Sequence, residues 1–253
     1  MTHPPVTTVS CSGADDRDDP VGIAVLAAGR PLAEIGLQLS RSREGTPDYP
    51  TRDWISRFAG EAACSRAGGM PVRAALHVNG EWCRDICSGR IPTEIAALLA
   101  AGDREGLLFQ RVQLNFDAVA DGIGGEALPG AIEGMGRPVI LQAKPSNAAL
   151  LAALASARVP FDVLFDGSGG NGIRPPGWPV GMPGRFNAWA GGLGPLTAAV
   201  DIPAIATAAT AAGLRRFGLD AQRNLRSPCG MFFDTEGAAA FVDAAENWNR
   251  TQR

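Results

Sequence analysis

Histidine is scarce in this sequence of 253 residues, since His3 and His77 are its only two. Its five cysteines are an odd number and include no CxxC pair. Zinc sites are built mainly from these two residue types at short spacings, so the sequence predicts no metal site, and we expect no cofactor. Unpaired cysteines are typical of thiols in a reducing compartment.

A surplus of basic residues is also absent, because 26 Asp and Glu face 23 Lys and Arg and leave a net charge of -3. The chain therefore has no general basic field, and we expect no nucleic-acid partner. Its apolar runs are shorter than the roughly 18 residues of a membrane span, and MTHPPVTTVSCSGADD lacks the basic and apolar regions of a signal peptide. These features predict a cytoplasmic protein with no membrane partner.

What the sequence does contain is a regular alternation of β-rich and helical segments. The hydrophobic fraction of 45% allows a sizeable core, and no low-complexity linker divides the chain, so we expect one domain over residues 1–253. The candidate strands are 6–12, 34–40, 72–78, 109–116, 137–143, 161–166, 186–192 and 215–221. The candidate helices include 51–64, 92–102, 146–157, 203–213 and 235–248.

Strands buried on both faces and separated by helices favour a parallel sheet. Eight such units in about 250 residues are typical of a (β/α)8 TIM barrel, with a doubly wound open sheet as the main alternative. The predicted fold class is therefore α/β, as a single TIM barrel.

Polar residues mark the predicted C-terminal ends of the strands, where TIM barrels place their active sites. They include Arg41, Arg43, His77, Gln113, Asn115, Gln142, Lys144, Asp166 and Asp220. The backbone amides of WAGGLGP, together with polar residues after strand 8, can form an anion pocket without a P-loop. The predicted phosphate-binding residues are Gly191, Gly192, Arg223, Asn224 and Arg226.

The segment FDGSGGNG (165–172) places one carboxylate, Asp166, at the end of strand 6 before a glycine-rich turn. Glycines let a backbone approach a ligand closely. Such turns also simply reverse a chain, with the acid capping the loop. Both interpretations of Asp166 stay open at this point.

The order and spacing of VQLNF, VPFDVLFDGSGGNG and WAGGLGP resemble phosphoribosylanthranilate isomerase, a ribulose-phosphate-binding barrel of tryptophan biosynthesis. The resemblance extends from about residue 109 to the end of the chain. It implies an isomerase that performs an Amadori rearrangement on a small phosphorylated substrate. It assigns the general acid to Asp166 and the phosphate site to Gly191 and Gly192.

The family's base is a cysteine directly before a glycine at the end of strand 1, and here Ser12 stands at that position. Cys11 precedes it, but a shift of one residue along a strand turns a side chain to the other face, so Cys11 requires the strand end to bend. His77 is either a base in place of the cysteine or a satisfied core histidine. The predicted catalytic residues are Asp166, Ser12 and Cys11.

Two further positions depart from the family on the substrate side. Asp48 replaces the arginine that grips the anthranilate group, and Arg41 or Arg43 can compensate for it. Asn115 replaces the histidine that ends strand 4 in the family. The predicted substrate-binding residues are Arg41, Arg43, His77, Gln113 and Asn115.

Two alternatives remain beside the isomerase. One is another phosphosugar barrel enzyme, such as an epimerase or an aldolase that uses Lys144 as a Schiff base. The other is a barrel that binds a phosphorylated ligand without turning it over. We expect a monomer or a homodimer in each case.

Overall fold

A computed structural model describes residues 3–104, 106 and 108–252 of the chain. Its eight parallel strands follow one another around a closed barrel, and the last pairs with the first. The predicted TIM barrel is confirmed, and the open sheet is excluded. The strands are Val6–Ser12 (β1), Ala33–Leu39 (β2), Ala74–Val78 (β3), Phe109–Leu114 (β4), Val139–Ala143 (β5), Asp162–Phe165 (β6), Asn187–Ala190 (β7) and Phe217–Ala221 (β8).

The helices surround the barrel unevenly. Two helices follow β3, whereas residues 166–186, which join β6 to β7 and are all described, contain none. The helices are Pro20–Ala28 (α1), Arg52–Ala67 (α2), Gly80–Cys87 (α3), Thr93–Arg104 (α4), Leu128–Gly134 (α5), Ala148–Ser156 (α6), Ala198–Ala211 (α7) and Thr235–Thr251 (α8). In the described part of the chain, no helix is long and apolar enough to cross a membrane.

The main core lies between the outer face of the barrel and the helices. Its largest fully buried side chains come from both layers, for example Trp54 and Phe58 of α2, Phe109 of β4 and Phe241 of α8. Burying each such side chain stabilises the fold by about 1.5–3 kcal/mol. This layer fixes the positions of the strand ends.

The inside of the barrel contains polar side chains beside a small apolar cluster of Ile140, Leu164 and Ala188. Glu34 and Arg111 form a buried ion pair at 2.9 Å, and Arg111 also donates to Thr8 Oγ1 at 3.1 Å. The Arg111 guanidinium lies 4.8 Å from the centroid of the Phe186 ring. Charged groups inside a protein are tolerated when they are paired. At this N-terminal end of the barrel, Glu34 and Arg111 are each other's partners.

Gly36 of β2 leaves space inside the barrel for side chains of the two neighbouring strands. A Cβ on Gly36 of β2 would overlap Ser12 Oγ and approach His77 Cε1 to 2.7 Å. Any side chain at this position would therefore displace Ser12 or His77, which lie on the two neighbouring strands.

We predict that Gly36→Ala lowers the free energy of unfolding by about 2 kcal/mol or more, because it overpacks a closed interior. Gly60→Ala is the matched control. Gly60 lies exposed within α2, and a Cβ at this position would have no neighbour within 4 Å, so the same change there should stabilise the protein by up to about 1 kcal/mol. Urea unfolding of both variants measures the difference. A Gly36→Ala protein as stable as the wild type would contradict this packing.

Candidate active site

A polar cavity of about 360 Å³ opens at the C-terminal end of the barrel. Side chains from the ends of six strands and from the following loops line it. They include Gln38, Arg43, Asn79, Gln113, Asn115, Gln142, Lys144, Asp166, Asp220, Gln222 and Arg223. The structure thus brings Arg43, Gln113, Asn115, Asp166 and Arg223 of the predicted residues to one cavity.

One wall of the cavity is a chain of hydrogen-bonded amides. Gln113 Nε2 donates to Asn115 Oδ1 at 3.1 Å, and Asn115 Nδ2 donates to Asn79 Oδ1 at 3.2 Å. Asn79 Nδ2 in turn donates to Gln38 Oε1 at 2.8 Å. Each amide group has both donor and acceptor atoms, so the wall offers both kinds of partner to a ligand.

Asp166 follows β6 and is only 5% exposed. Its Oδ1 accepts from the backbone N–H of Ser168 at 3.1 Å and from the Ser168 hydroxyl at 2.7 Å. Its Oδ2 accepts from the Gly170 N–H at 2.7 Å and from Gln142 Nε2 at 3.0 Å. The carboxylate therefore caps the glycine-rich turn while it lines the cavity, so the two interpretations of this residue are compatible.

Asp220 of β8 is a second buried carboxylate in the same cavity, which sequence reasoning placed on the rim without a role. Burial, followed by the negative charge of Asp166, raises the pKa of Asp220 to about 7. Its Oδ1 accepts a hydrogen bond from Ser12 Oγ at 3.3 Å. At neutral pH this carboxyl group can therefore either give or take a proton. The sequence does contain a sign of such a role, because an acid within a buried parallel strand is costly and is therefore often functional.

The structure separates the two candidate bases of β1. Ser12 points into the barrel, where its Oγ contacts Asp220 and lies 3.4 Å from His77 Nδ1. Cys11 points outward into the core and is fully buried. Burial and the nearby carboxylates raise the pKa of the Cys11 thiol well above its ordinary value. The strand end does not bend, so the prediction of Cys11 as a catalytic residue is wrong.

His77 lies between Gln38 and Gln113 and is 1% exposed. The amide nitrogens of both glutamines lie within 3.5 Å of its Nδ1. Burial, and then the charge of Arg111, lowers the pKa of His77 to about 3, so the imidazole is neutral at physiological pH. It orients two residues of the cavity wall rather than contacting the cavity itself, which corrects its assignment to substrate binding.

Of the two arginines after β2, only one faces the cavity. The Arg43 guanidinium stacks 4.0 Å from the centroid of the Tyr49 ring and donates to the Tyr49 hydroxyl at 3.0 Å. Arg41 instead pairs with Asp85 at 3.4 Å on the outer surface, with its side chain 53% exposed. Arg41 therefore does not line the cavity in this structure, and its assignment to substrate binding stays a prediction.

Asp48 does not present an uncompensated charge to the cavity. Its backbone has a φ of 73°, and its carboxylate forms an ion pair with Arg226. Arg226 also pairs with Asp15 at 3.3 Å, and its side chain is only 10% exposed. These two acids hold Arg226 away from the predicted phosphate pocket, which corrects its assignment as a phosphate ligand.

The other four predicted phosphate residues do lie together. Gly191, Gly192, Arg223 and Asn224 border a small pocket of about 40 Å³ that Asp166 and Asp220 also line. Asn224 Nδ2 donates to the Gly192 carbonyl at 2.7 Å. Phosphate binding at this pocket stays a prediction.

The glycine pair that follows β7 has positive φ values of 111° at Gly191 and 67° at Gly192. A Cβ on Gly191 would lie 2.9 Å from the Ile173 carbonyl, and one on Gly192 would lie 2.8 Å from the Arg174 nitrogen. Only glycines allow the loop after β6 to close over this pocket.

The closed parallel sheet and its polar rim define a protein of the (β/α)8 barrel class. No protein-family model matches the sequence, and no curated protein is significantly similar to it. Solved structures do resemble it. A phosphoribosylanthranilate isomerase from Thermotoga maritima has a TM-score of 0.53 and 13% identity, with 95% of this chain and 98% of that chain covered.

Two further structures are similar to the same extent. The N-terminal domain of a putative aldolase from Bacteroides vulgatus has a TM-score of 0.50 and 14% identity, with 97% and 88% covered. A family 39 glycoside hydrolase from Bacteroides cellulosilyticus has a TM-score of 0.51 and 11% identity, with 99% and 64% covered. Identities this low show the shared barrel fold alone.

We predict that Asp220→Asn stabilises the protein more at high pH than at low pH. The pKa of about 7 in the folded state lies above the ordinary value near 4, so between these pH values the folded protein holds a proton that the unfolded chain has lost. The wild type therefore loses stability as the pH rises through this window, and the variant has no such proton to lose.

The gain from the substitution should be larger at pH 8 than at pH 4 by about 2–4 kcal/mol. Urea unfolding of both proteins at each pH measures it, and the difference between them cancels the titration of other groups. Gains of equal size at the two pH values would contradict the burial of an ionisable Asp220.

Proposed function

We propose that this protein is a phosphosugar isomerase of the phosphoribosylanthranilate isomerase type, which performs an Amadori rearrangement of a phosphoribosyl amine. The observation that carries the proposal is the pair of buried carboxylates, Asp166 and Asp220. Both line the polar cavity and both border the pocket beside Gly191 and Gly192. The proposal thus assigns an acid, a base and an anion pocket to one rim of the barrel.

The phosphate would bind at the end of the substrate next to these carboxylates. Backbone amides at Gly191 and Gly192 favour an anion, as do the positive charge of Arg223 and the side chain of Asn224. Arg223 lines both cavities and is exposed. With Arg226 held by Asp15 and Asp48, Arg223 supplies the cation of the phosphate grip.

The remaining part of the cavity suits a polyhydroxylated molecule. A ligand hydroxyl group can replace one of the hydrogen bonds within the amide chain at little cost, because each amide has donor and acceptor atoms. The chain consists of Gln113, Asn115, Asn79 and Gln38. A ribosyl group bound by its phosphate would meet this wall.

The chemistry needs a proton delivered to the ring oxygen as the bond from that oxygen to the anomeric carbon breaks. A proton is then removed from the neighbouring carbon, which gives an enolamine that becomes the ketose. In this proposal the two carboxyl groups hold one proton between them at neutral pH, and the resemblance assigns its delivery to Asp166. Asp220 supplies the base that Ser12 cannot, and its pKa of about 7 suits that task at neutral pH. Ser12 orients the Asp220 carboxylate through its hydroxyl.

Schiff-base chemistry at Lys144 is less well supported. A nucleophilic lysine is activated by an apolar pocket or by a neighbouring cation. The charged partner of Lys144 Nζ is an anion rather than a cation, since Asp117 Oδ2 lies 3.3 Å away. Failure to trap an adduct with borohydride would agree with this reasoning.

We predict that the purified protein converts phosphoribosylanthranilate, followed by the change in anthranilate fluorescence. Asp166→Asn and Asp220→Asn should each lower kcat by about 10²–10⁴-fold, as expected for lost proton transfer. Asp243→Asn, a half-exposed acid on α8 that pairs with Arg30, is the matched control and should keep full activity. The absence of turnover by the folded wild type, or full activity in both site variants, would overturn the proposal.

A second prediction concerns the phosphate. Arg223→Met should raise KM at least tenfold with a smaller effect on kcat, since a charged hydrogen bond contributes about 1.5–3 kcal/mol. Arg215→Met is the matched control, because Arg215 is exposed and lies before β8, at the opposite end of the barrel. Equal KM values for the two variants would remove Arg223 from the phosphate site.

A further inference from the structure

The connection from β6 to β7 creates a second cavity that the proposed reaction does not use. No helix covers the barrel here, because residues 166–186, all of which are described, run as a loop. A cavity of about 420 Å³ opens between this loop and α6. Its volume falls in the range of about 300–1,000 Å³ that is typical of small-molecule sites.

The walls of this cavity are apolar. Leu151 and Ala152 of α6 form one side, the outward-facing Phe165 of β6 lies at its base, and Trp178 and Met182 of the loop form the other side. A phosphosugar would find almost no partners for its hydroxyl groups here. The lining matches a flat, apolar ring instead.

Hydrogen bonds hold the loop wall in place. Trp178 Nε1 donates to the buried Asp201 Oδ1 at 3.3 Å, and Trp189 Nε1 donates to the Pro179 carbonyl at 3.0 Å. The Asn187 side chain accepts from Met182 N–H at 2.6 Å and donates to the Met182 carbonyl at 2.9 Å. The cavity is therefore preformed, so a ligand would not need to order its walls.

Lys144 is the one charged side chain among the described residues that line this cavity. Its partner Asp117 also accepts from the Ser146 hydroxyl at 2.8 Å and from the Ala120 N–H at 3.0 Å. Lys144 can therefore turn to a ligand anion without leaving Asp117 unpartnered. A ligand carboxylate at this edge of the cavity would take the place of Asp117 as the partner of the Lys144 ammonium group.

We propose that this cavity binds a small aromatic carboxylate, with its ring between α6 and Trp178 and its carboxylate at Lys144. The site is distinct from the polar cavity, although Lys144 lies between the two. Gly167, which lines the apolar cavity, directly follows Asp166, so a bound ring contacts the loop that carries the candidate acid.

The first test measures binding of 1-naphthoate to the wild-type protein by isothermal titration calorimetry. We expect one saturable site with a Kd in the millimolar range or tighter. Ala152→Phe fills the cavity from α6 and should weaken binding at least tenfold. Ala153→Phe is the matched control, because the next residue of α6 is also exposed but does not line the cavity, and its Kd should match the wild type.

The second test addresses the charge. Lys144→Met keeps the length of the side chain but removes its charge. It should raise the Kd of 1-naphthoate about tenfold while leaving the Kd of the neutral 1-naphthol unchanged. The role of Lys144 would be overturned if the substitution raised the Kd of both compounds equally, or changed neither Kd. No saturable binding of 1-naphthoate, or equal binding to Ala152→Phe and Ala153→Phe, would overturn the site.

A competition measurement separates this site from the proposed active site. Saturating ribose 5-phosphate should leave the Kd of 1-naphthoate within twofold, because the two ligands bind different cavities. Displacement of 1-naphthoate by the sugar phosphate would place the ring in the polar cavity and overturn the proposal. None of these readouts depends on turnover, so they stand whether or not the protein is an isomerase.

Discussion

Polar side chains inside a closed barrel have to satisfy one another, and the site of this protein depends on how they do so. Gly36 leaves the space in which Ser12 and His77 meet, and the pKa of His77 falls to about 3 because burial disfavours its cation. The same burial acts on Asp220 in the opposite sense and raises its pKa to about 7. Burial in one interior thus yields a neutral imidazole and a carboxyl group that can exchange protons.

The loop after β6 has the second decisive role. Four donors to the Asp166 carboxylate fix its first turn, and the close approach of residues 173 and 174 to Gly191 and Gly192 fixes its middle. Hydrogen bonds to Trp178 and Met182 fix the rest. A segment without a helix is in this way rigid enough to separate a polar cavity from an apolar one.

The barrel could be predicted because the alternation of apolar strands and helices is a local property of the sequence, and all eight strands begin and end within two residues of the expected bounds. Boundaries that depend on packing were harder. Pro203 suggested the start of α7, yet the helix begins at Ala198 and carries the proline inside its first two turns. Likewise α5, with LPGAIEG, is too short and too rich in glycine to be recognised by periodicity.

The sequence also could not predict which arginines face the candidate site, because the direction of a charged side chain depends on its ion-pair partners. Arg226 follows β8 just as Arg223 does, but Asp15 and Asp48 lie where they can hold it. The carboxylate of Asp48 is therefore paired with a cation from the opposite side of the rim. Arg43, stacked on Tyr49, becomes the cation that faces the cavity on that side.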